Sequence, residues 1–274
     1  MTFKLQLAEP SGPLVMGILN VTPDSFSDGG QFNQPDQALQ HVRQMIADGA
    51  DIIDIGGEST RPGARAVAAE EELERVVPII KAIRAESDIP ISIDTSKPEV
   101  MTAAVQAGAN MINDVRALQE DGALQAAARL NVHVCLMHMQ GQPCSMQNQP
   151  HYSNVVEEVL LFLHERVACC EAAGISRDKI VIDPGFGFGK TLQHNLELFH
   201  ALERFVTTGL PVLVGVSRKS MIGQVLDIPV KERMPASVAL AGLASWMGAA
   251  IIRVHDVQPT VHAVKMCQAI KNTI

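Results

Sequence analysis

The stretch IPISIDTSKPEVMTAAVQAGANMINDV, residues 89–115, holds a complete strand–helix–strand unit. The apolar run Ile89–Ile93 predicts a short buried strand, and Ala109–Ile112 predicts the next one. Between them, Lys97–Ala107 has helical periodicity, with proline as its second residue and Gly108 directly after it. Proline near the start and glycine just beyond the end are common helix boundaries. Two strands joined by a helix indicate parallel pairing within one sheet.

This unit recurs along the chain as a repeated pattern without repeated sequence. The predicted strands are Leu14–Leu19, Asp51–Ile55, Ile89–Ile93, Ala109–Ile112, Val132–Met137, Lys179–Ile182, Val212–Val214 and Ala250–Val254. The predicted helices are Pro35–Ala47, Glu70–Ala85, Lys97–Ala107, Gly122–Leu130, Val155–Ala173, Leu192–Phe205, Ala236–Met247 and Thr260–Ile270. Eight such units in 274 residues favour an α/β protein with a closed (β/α)₈ barrel, which typically takes about 250 residues. Because no composition break marks a linker, the sequence predicts a single TIM-barrel domain over residues 1–274.

The composition is that of a globular protein with a large core, since 47% of the residues are hydrophobic and 19% are charged. The formal net charge of −8 and the pI near 5.6 disfavour a nucleic-acid-binding protein, which usually presents a basic face. Neither the N-terminus nor the apolar stretch Ala236–Ile252 is long and apolar enough to predict a signal peptide or a membrane span. Five cysteines without a C-x-x-C pair predict reduced thiols and a cytoplasmic protein.

Two predicted loops are unusually long. Val21–Gln34 follows the first strand and Gly56–Ala69 follows the second, and both are rich in Gly, Ser, Thr and Asp. Loops of about a dozen residues or more inside a compact domain are usually functional. Because both follow strands, we expect them at the carboxyl end of the barrel, where enzymes of this fold bind their substrates.

Polar side chains occur at the carboxyl ends of the predicted strands. Strand ends often meet polar loops, which accounts for a few of these residues. That alternative does not explain polar groups at the same end of every strand, so we predict one convergent site for an anionic small molecule. The polar residues are Asn20, Asp54, Glu58, Asp94, Asn113, Asp114, His138, Asp183, Ser217, Arg218, Lys219, Arg253 and His255, and the apolar Met137 precedes His138 at the end of the fifth strand.

The sequence motifs at these strand ends resemble the dihydropteroate synthase family. They are MGILNVTPDSFSDGG, DIIDIGGESTRPGA, SIDTSKPEV, INDVRAL, IDPGFGFGK, GVSRKSMIG and RVHDV, and they extend in this order from Met16 to Val257. The resemblance implies a transferase of folate biosynthesis that condenses 6-hydroxymethyl-7,8-dihydropterin diphosphate with 4-aminobenzoate, giving 7,8-dihydropteroate and pyrophosphate. It also implies Mg²⁺ as a cofactor, a homodimer and a target of sulfonamides.

By this resemblance, the pterin ring binds to Asp183, Asn113, Asp94 and Lys219. A carboxylate suits the amino-pyrimidinone edge of a pterin, because it can accept hydrogen bonds from two adjacent N–H donors. Asp54 is expected to orient the other side chains. Helix N-capping is the alternative for Asp94 and Asp183, since both precede the predicted start of a helix.

The diphosphate is expected to bind to Arg253 and His255, which lie two residues apart and can both point into the barrel mouth. The resemblance assigns Asn20 as the Mg²⁺ contact, and one protein ligand suits an ion that keeps most of its waters and bridges phosphates. Arg253 can also stack its guanidinium on the pterin ring. A purely structural role is the alternative for His255. The residues expected to act in catalysis are Lys219, Arg253 and Asp94.

The aminobenzoate contacts implied by the resemblance are Phe26, Thr60, Arg61, Pro62, Phe188 and Ser217. Phe26 lies in a polar loop, where an aromatic side chain has no core to join, and this favours contact with a ligand. In the same loop, Asp24 or Asp28 is a candidate for stabilising the cation formed when pyrophosphate leaves.

Two other motifs are weaker. The segment 185–191 ends like a phosphate-binding P-loop, but Pro184 replaces the first glycine of that motif. His133, Cys135 and His138 resemble a zinc cluster. Strand alternation places His138 on the opposite face from the other two, which favours ordinary side chains of a strand.

Two further functions are compatible with a pterin pocket alone. A methyltetrahydrofolate-dependent methyltransferase barrel would share that pocket but would not need the segments 217–219 and 58–62. A non-catalytic pterin carrier would lack the diphosphate-binding residues Asn20, Arg253 and His255. The presence of all these features favours the synthase.

The predicted homodimer forms through the last helices. The helix Ala236–Met247 is apolar nearly all round. Because an outer helix of a barrel should present one polar face to water, we expect its second apolar face to contact another copy of the chain.

Overall fold

The computed structural model describes residues 12–22, 34–59, 67–141, 146 and 150–273. Strands and helices alternate along these residues. The strands are β1 (Leu14–Asn20), β2 (Ile52–Gly56), β3 (Ile91–Asp94), β4 (Met111–Asp114), β5 (His133–Met137), β6 (Ile180–Asp183), β7 (Leu213–Val214) and β8 (Ile251–Val254). The helices are α1 (Gln34–Ala47), α2 (Ala69–Glu86), α3 (Pro98–Ala107), α4 (Ala123–Leu130), α5 (Val155–Ala172), α6 (Leu192–His200), α7 (Leu202–Val206), α8 (Ser220–Leu226), α9 (Met234–Trp246) and α10 (Val257–Lys271).

The strands form one parallel sheet in the order β6-β5-β4-β3-β2-β1-β8-β7. The gap between β6 and β7 is bridged by a single parallel contact, in which the amide of Ile182 donates to the carbonyl of Pro211 at 3.0 Å. Helices connect successive strands, and the sheet curls into a nearly closed barrel. The predicted (β/α)₈ fold is therefore confirmed.

The side chains inside the barrel change from apolar to charged or polar over two residues along the strands. A separate cluster of buried side chains forms an apolar floor: Met16, Ile52, Met111, Cys135, Val181, Leu213 and Ile251. Side chains two residues apart point to the same face of a strand. Two residues after four of these floor residues come Asp54, Asn113, Asp183 and Arg253. The carboxyl end of the barrel therefore carries a charged layer directly above its apolar floor.

The main core lies between the sheet and the surrounding helices. Ile53, Ile55 and Ile93 of the sheet are fully buried in it, together with Val76 and Ile80 of α2. Burial of each side chain of this size contributes about 1.5–3 kcal/mol to folding. This outer packing holds the strands in the register that brings their polar ends together.

Apart from boundaries that are shifted by up to three residues, the helices differ from the sequence-based prediction in two places. The helix predicted over Leu192–Phe205 is divided at Ala201 into α6 and α7. The buried residues Leu198 and Leu202 keep helical spacing across this division, so the sequence gives no sign of it. The sequence does not predict α8, because seven residues with Gly223 among them are too few to show helical periodicity. No helix in the described part of the chain is long and apolar enough to cross a membrane.

Every strand differs from the prediction by one or two residues at one or both ends, and the shift is largest in β3 and β4. Both β3 and β4 start and end later along the chain than their apolar runs suggest. As a result, Asp94 ends β3, Asn113 and Asp114 are the last two residues of β4, and none of the three lies in the loop that follows. Their backbones are therefore held by the sheet, which gives their side chains a rigid support.

Candidate active site

Arg253 is the centre of the charged layer. Its Nε donates to Oδ2 of Asp54 at 2.6 Å, and its Nη2 donates to Oδ2 of Asp94 at 2.7 Å. The three side chains come from β8, β2 and β3, so these ion pairs join three strands. Asp54 is fully buried and Asp94 is 8% exposed. Charges are costly to bury unless they are paired and hydrogen-bonded, and the shared guanidinium meets that condition.

The two carboxylates keep unused acceptor capacity. Oδ2 of Asp54 also accepts a hydrogen bond from Nδ2 of Asn113 at 3.2 Å. Oδ1 of Asp54, Oδ1 of Asp94 and the hydroxyl of Ser92 are buried and have no hydrogen-bond partner among the described residues. Buried polar atoms without a partner are rare in native proteins and call for a specific explanation. Here they can accept hydrogen bonds from N–H donors of a ligand that enters the barrel mouth.

Burial shifts the ionisation of this layer toward neutral side chains. It raises the pKa of Asp94 to about 7, an effect that Arg253 opposes and Asp54 reinforces. Burial also raises the pKa of Asp183 and lowers the pKa of Lys219 to about 8. The pKa of Arg253 is raised, because Asp54 and Asp94 together outweigh the lowering effect of its burial. Perturbed acids and bases that share one cleft are typical of an active site.

The turn after β6 connects Asp183 with Lys219. Asp183 accepts the backbone amide of Gly185 at 2.7 Å, which leaves its second carboxylate oxygen for another donor. The ammonium of Lys219, which follows β7, donates to the carbonyl of Phe186. It also lies 4.7 Å from the centre of the Phe188 ring, within the range of a cation–π contact. Three predicted site residues thus form one cluster.

Ser217 and His255 form a second pair in the mouth. Oγ of Ser217 accepts the backbone amide of His255 at 3.2 Å and lies 3.1 Å from its Nδ1. The neighbouring Arg218 does not join this pair. Its guanidinium donates to both carboxylate oxygens of Asp256, one of them at 2.9 Å. Arg218 is therefore committed to an ion pair at the start of α10.

Asn20 ends β1 beside the charged layer. A Cβ atom built on Gly56 would lie 3.7 Å from Oδ1 of Asn20 and 3.8 Å from Oδ2 of Asp94, so both side chains border this glycine. Asn20 is half-buried. An amide oxygen next to a carboxylate suits a hard cation that prefers oxygen ligands. The described residues contain no group of three or more His, Cys, Asp or Glu side chains able to hold a metal ion. A cation at Asn20 would thus need most of its ligands from substrate and water.

A buried ion pair that the sequence does not reveal supports the base of the second long loop. Lys97 donates to Glu58 and, at 2.5 Å, to the fully buried Glu72. Glu58 also accepts the amide of Val67 at 3.2 Å, so its carboxylate connects the two ends of the loop. The only signal in the sequence is that Glu72 lies one helical turn before Val76, on the buried face of α2.

The comparison with known proteins agrees with this geometry. Residues 16–255 match the family of pterin binding enzymes. The dihydropteroate synthase of Escherichia coli K12 is 54% identical to this chain over 94% of its length and 92% of the relative's. This chain belongs to the dihydropteroate synthase family.

Solved structures of the dihydropteroate synthase family share the fold. The Yersinia pestis enzyme in a complex with a sulfonamide drug has a TM-score of 0.92 and 53% identity, covering 97% of this chain and 96% of that one. The Xanthomonas albilineans enzyme in complex with 7,8-dihydropteroate has a TM-score of 0.87 and 47% identity, covering 96% of this chain and 95% of that one. The resemblance of the sequence motifs to the dihydropteroate synthase family is therefore confirmed.

Most of the residues predicted from that family meet at the barrel mouth. They are Asn20, Asp94, Asn113, Asp183, Phe188, Ser217, Lys219, Arg253 and His255. The other predicted residues, Phe26, Thr60, Arg61 and Pro62, lie outside the described residues, as do Asp24 and Asp28.

Helix N-capping, the alternative for two of these carboxylates, is wrong. α3 begins directly after Lys97 and has no side-chain cap, while Asp94 pairs with Arg253. The first α-helix after Asp183 is α6, which is capped by Thr191. In this member of the dihydropteroate synthase family, both carboxylates therefore lie at the barrel mouth and do not cap a helix.

Proposed function

We propose that this chain is a dihydropteroate synthase, which joins the dihydropterin diphosphate to the amine of 4-aminobenzoate and releases pyrophosphate. The observation that carries the proposal is the charged layer, in which Asp54 and Asp94 share Arg253 and keep unpaired buried oxygens. Acceptors for ring N–H groups next to a fixed cation suit a pterin that carries a diphosphate. The 54% identity to a named dihydropteroate synthase supports the same reaction.

In this proposal the pterin ring enters with its amino-pyrimidinone edge toward Asp183. One carboxylate oxygen of Asp183 already accepts the amide of Gly185, and the other accepts from the ring. Lys219 donates to the ring carbonyl, while Asn113 and Asp94 contact the remaining ring nitrogens. Each hydrogen bond that involves a charged group contributes roughly 1.5–3 kcal/mol.

The diphosphate is proposed to bind to Arg253 and His255. The guanidinium of Arg253 stays protonated, since its pKa is raised, and its flat fork can contact a phosphate oxygen as well as the ring face. We include Mg²⁺ in the proposal, held by Asn20, whose amide oxygen borders Gly56 beside Asp94. When bound there, Mg²⁺ supplies positive charge that stabilises the departing pyrophosphate.

The proposed reaction needs no protein nucleophile. The bond between the exocyclic carbon and the diphosphate oxygen breaks, and its electron pair leaves with pyrophosphate. The dihydropterin ring delocalises the positive charge that remains on the carbon. The amine of 4-aminobenzoate then forms the new C–N bond and loses a proton to solvent. The protein contributes by orienting both substrates and by stabilising the charge that develops on the leaving group.

Phe188 and Ser217 are the described residues proposed to contact 4-aminobenzoate. The Phe188 ring lies next to Lys219 and offers an apolar surface adjoining the pterin site. Ser217 offers a hydroxyl beside His255. Thr60, Arg61, Pro62 and Phe26 stay predictions for this substrate.

The proposed reaction is tested by measuring pyrophosphate release together with chromatographic detection of 7,8-dihydropteroate. With both substrates and Mg²⁺, we expect equal amounts of the two products. A pterin carrier would bind dihydropterin without turnover, and a methyltetrahydrofolate-dependent methyltransferase would release no pyrophosphate. Either result would refute the proposal.

A homodimer through α9 and α10 is also part of the proposal. It is supported by four large apolar side chains of α9 and α10 that are 47% to 62% exposed, Leu243, Trp246, Met266 and Ile270. Apolar groups of this size on a surface often mark association sites, and two-fold dimers are the commonest oligomers. We expect sedimentation equilibrium to give twice the monomer mass of 29.5 kDa, and Trp246→Glu to give the monomer mass. A monomer without the substitution would refute the dimer.

The proposed location is the cytoplasm, where thiols stay reduced. The four cysteines in the described part of the chain, Cys135, Cys169, Cys170 and Cys267, are all free thiols. Detection of the native protein in a membrane or periplasmic fraction would contradict this location.

A further inference from the structure

Lys190 lies at the end of the turn after β6 and is only 3% exposed. Its Nζ has four neighbouring acceptors. It lies 2.9 Å from Nδ1 of His138, and its distances to the carbonyl oxygens of Gly185, Phe188 and His138 are 2.9, 3.0 and 3.2 Å. Because an ammonium has three protons, this group is fully used inside the protein. It therefore does not contact phosphate, which is the role that the P-loop-like spacing of its segment suggests.

His138 serves as an acceptor for Lys190. Burial, followed by the positive charge of Lys190, lowers the pKa of His138 to about 2, so the imidazole stays neutral. The ring of Phe162 packs edge-on against it with 4.9 Å between centroids, which fixes its orientation. Burial also lowers the pKa of Lys190, an effect that the charge of Asp183 opposes. The lysine thus lies within the electrostatic influence of a site carboxylate without contacting it.

The turn packs closely against the segment after β5. Gly185 has a φ of 72°, and a Cβ atom there would overlap the carbonyl oxygen of His138. Gly189 has a φ of 60°, and a Cβ atom there would overlap the carbonyl oxygen of Gln140. Only glycine adopts this conformation without strain and permits such an approach. The turn has little room to rearrange, and Lys190 is the cation that joins its carbonyl oxygens to His138.

The same turn contacts two side chains of the proposed pterin site, Asp183 and Lys219, and carries Phe188 of the proposed aminobenzoate site. Its Gly185 amide donates to Asp183, its Phe186 carbonyl accepts from Lys219, and its Phe188 ring lies beside the Lys219 ammonium. Two of the four acceptors of Lys190 are carbonyl oxygens of this turn, at Gly185 and Phe188. Displacement of the turn would therefore move Lys219 and Asp183 together.

We propose that Lys190 is a positioning residue for the pterin site, which fixes the turn after β6 so that Lys219 and Asp183 meet the ring. The inference rests on the proposed function, and it assigns to the lysine a role in pterin binding that acts through these two side chains. Because they contact the part of the pterin that does not react, their displacement weakens ground-state and transition-state binding equally. Such a change raises KM and leaves kcat nearly unchanged.

The test is steady-state kinetics of Lys190→Met, with the pterin diphosphate varied at saturating 4-aminobenzoate and Mg²⁺. We expect the KM of Lys190→Met for the pterin diphosphate to rise about tenfold, which corresponds to the loss of one net hydrogen bond of average to high strength. We expect kcat to stay within about threefold of the unsubstituted enzyme. The matched control is Lys179→Met at the opposite end of β6, where Lys179 donates to the carbonyl of Asn131 at 2.6 Å. This control should leave KM unchanged.

A second variant, Lys190→Gln, covers the case in which methionine prevents folding, since glutamine keeps N–H donors without a buried charge. It is expected to fold and to raise KM less than methionine does. The positioning role is wrong if KM is unchanged in a folded variant, if only kcat falls, or if neither variant folds, because the lysine would then maintain the barrel itself. Absence of turnover in the unsubstituted protein would instead refute the proposed function, so the two failures are distinguishable.

Discussion

The two ends of the barrel each contain an arginine with several hydrogen bonds, and the two arginines have opposite kinds of partners. At the amino end, the partners of Arg84 of α2 among the described residues are neutral oxygens. These are the carbonyls of Gly108, Ser87 and Ile89 and the side-chain Oδ1 of Asn110, at 2.5–3.0 Å. At the carboxyl end, Arg253 donates to two buried carboxylates, each of which has a second oxygen without a partner among the described residues.

This difference separates a structural end of the barrel from a binding end. Burial lowers the pKa of Arg84, and the nearby charge of Asp88 opposes this shift only in part. The partners of Arg253 raise its pKa despite burial, and they leave acceptors for a further molecule. The four bonds of Arg84 are made within the protein, whereas the two carboxylates that bind Arg253 keep oxygen atoms that can accept from a ligand.

The largest contrast is expected from replacing each arginine by lysine. Arg253→Lys keeps a cation between the carboxylates but loses the flat fork that contacts both of them and the substrate. We expect kcat/KM to fall about 10²–10³-fold, the usual effect of losing one donor that stabilises transition-state charge, while the protein stays folded. Pyrophosphate release measures the first effect, and thermal unfolding followed by circular dichroism measures the second.

The matched variant is Arg84→Lys at the amino end. It leaves half-buried carbonyl groups without a protein donor, each at a cost of up to about 1–3 kcal/mol, so the melting temperature should fall. Activity per folded molecule should not change. If Arg84→Lys reduced kcat/KM as strongly as Arg253→Lys does, the division into a structural end and a binding end would be wrong.

A second contrast compares two aspartates that each accept a backbone amide. Asp183 at the carboxyl end accepts the amide of Gly185, and Asp51 at the amino end accepts the amide of Val15 at 2.8 Å. In Asp183→Asn the amide oxygen can still serve Gly185, but the second acceptor becomes a donor. We expect binding of the dihydropterin to weaken about 10- to 100-fold by calorimetric titration, the effect of one charge-assisted bond. Asp51→Asn should leave binding unchanged, and equal affinity for Asp183→Asn would remove this residue from the site.

The sequence predicts the architecture of both ends but not which residues pair there. Apolar runs separated by amphipathic segments suffice to predict eight strand–helix units, and the side at which polar residues follow the strands predicts the binding end. The pairing of Arg253 with Asp54 depends on register between strands far apart in the chain. Met16 of β1 pairs with Arg253 on one side and with Ile52 on the other, and no local pattern encodes that arrangement.

Buried polar residues with structural roles are the other part that the sequence does not predict. Lys190 has the local surroundings of a phosphate-binding lysine, and only the three-dimensional path of the turn shows that its ammonium points at carbonyl oxygens. Glu72 looks like one of three exposed acids in the first turn of α2, yet it is fully buried against Lys97. In both cases the role depends on the direction of a long side chain, which local sequence does not determine.

The pH dependence of the reaction gives a third test of the binding end. Asp94, with a pKa of about 7, gains the negative charge that strengthens its hydrogen bonds to ring N–H donors when it loses its proton, so binding improves as the pH rises through 7. Lys219, with a pKa of about 8, loses its charge above that value, so binding weakens again. We expect kcat/KM for the pterin diphosphate to form a narrow bell between these values and to fall about tenfold per pH unit outside it.

Substitutions identify the two limbs of this bell. Asp94→Asn should remove the acid limb, and Lys219→Arg should remove the alkaline limb. Because the two groups interact, the apparent pKa of each limb belongs to the cluster and not to one residue alone. Arg84→Lys, at the other end of the barrel, should leave both limbs in place. A profile that is flat from pH 6 to 9 in the unsubstituted enzyme would show that these groups do not titrate in the reaction.

The smallest expected effect concerns two serines that bond to a backbone amide at opposite ends. Oγ of Ser217 accepts the amide of His255 and lies 3.1 Å from its Nδ1, and Oγ of Ser87 accepts the amide of Ile89 at 3.1 Å. If the Ser217 hydroxyl donates to Nδ1, a neutral imidazole carries its proton on Nε2 and presents a donor to the diphosphate. Ser217→Ala loses this bond of about 0.5–1.5 kcal/mol, so KM for the pterin diphosphate should rise about two- to tenfold. Affinity for the dihydropterin alcohol, which has no phosphate, should not change.

Ser87→Ala removes a similar bond near Arg84 and should lower stability slightly without changing KM. Equal weakening of both ligands by Ser217→Ala would mean that Ser217 acts on the ring and not through His255 on the diphosphate.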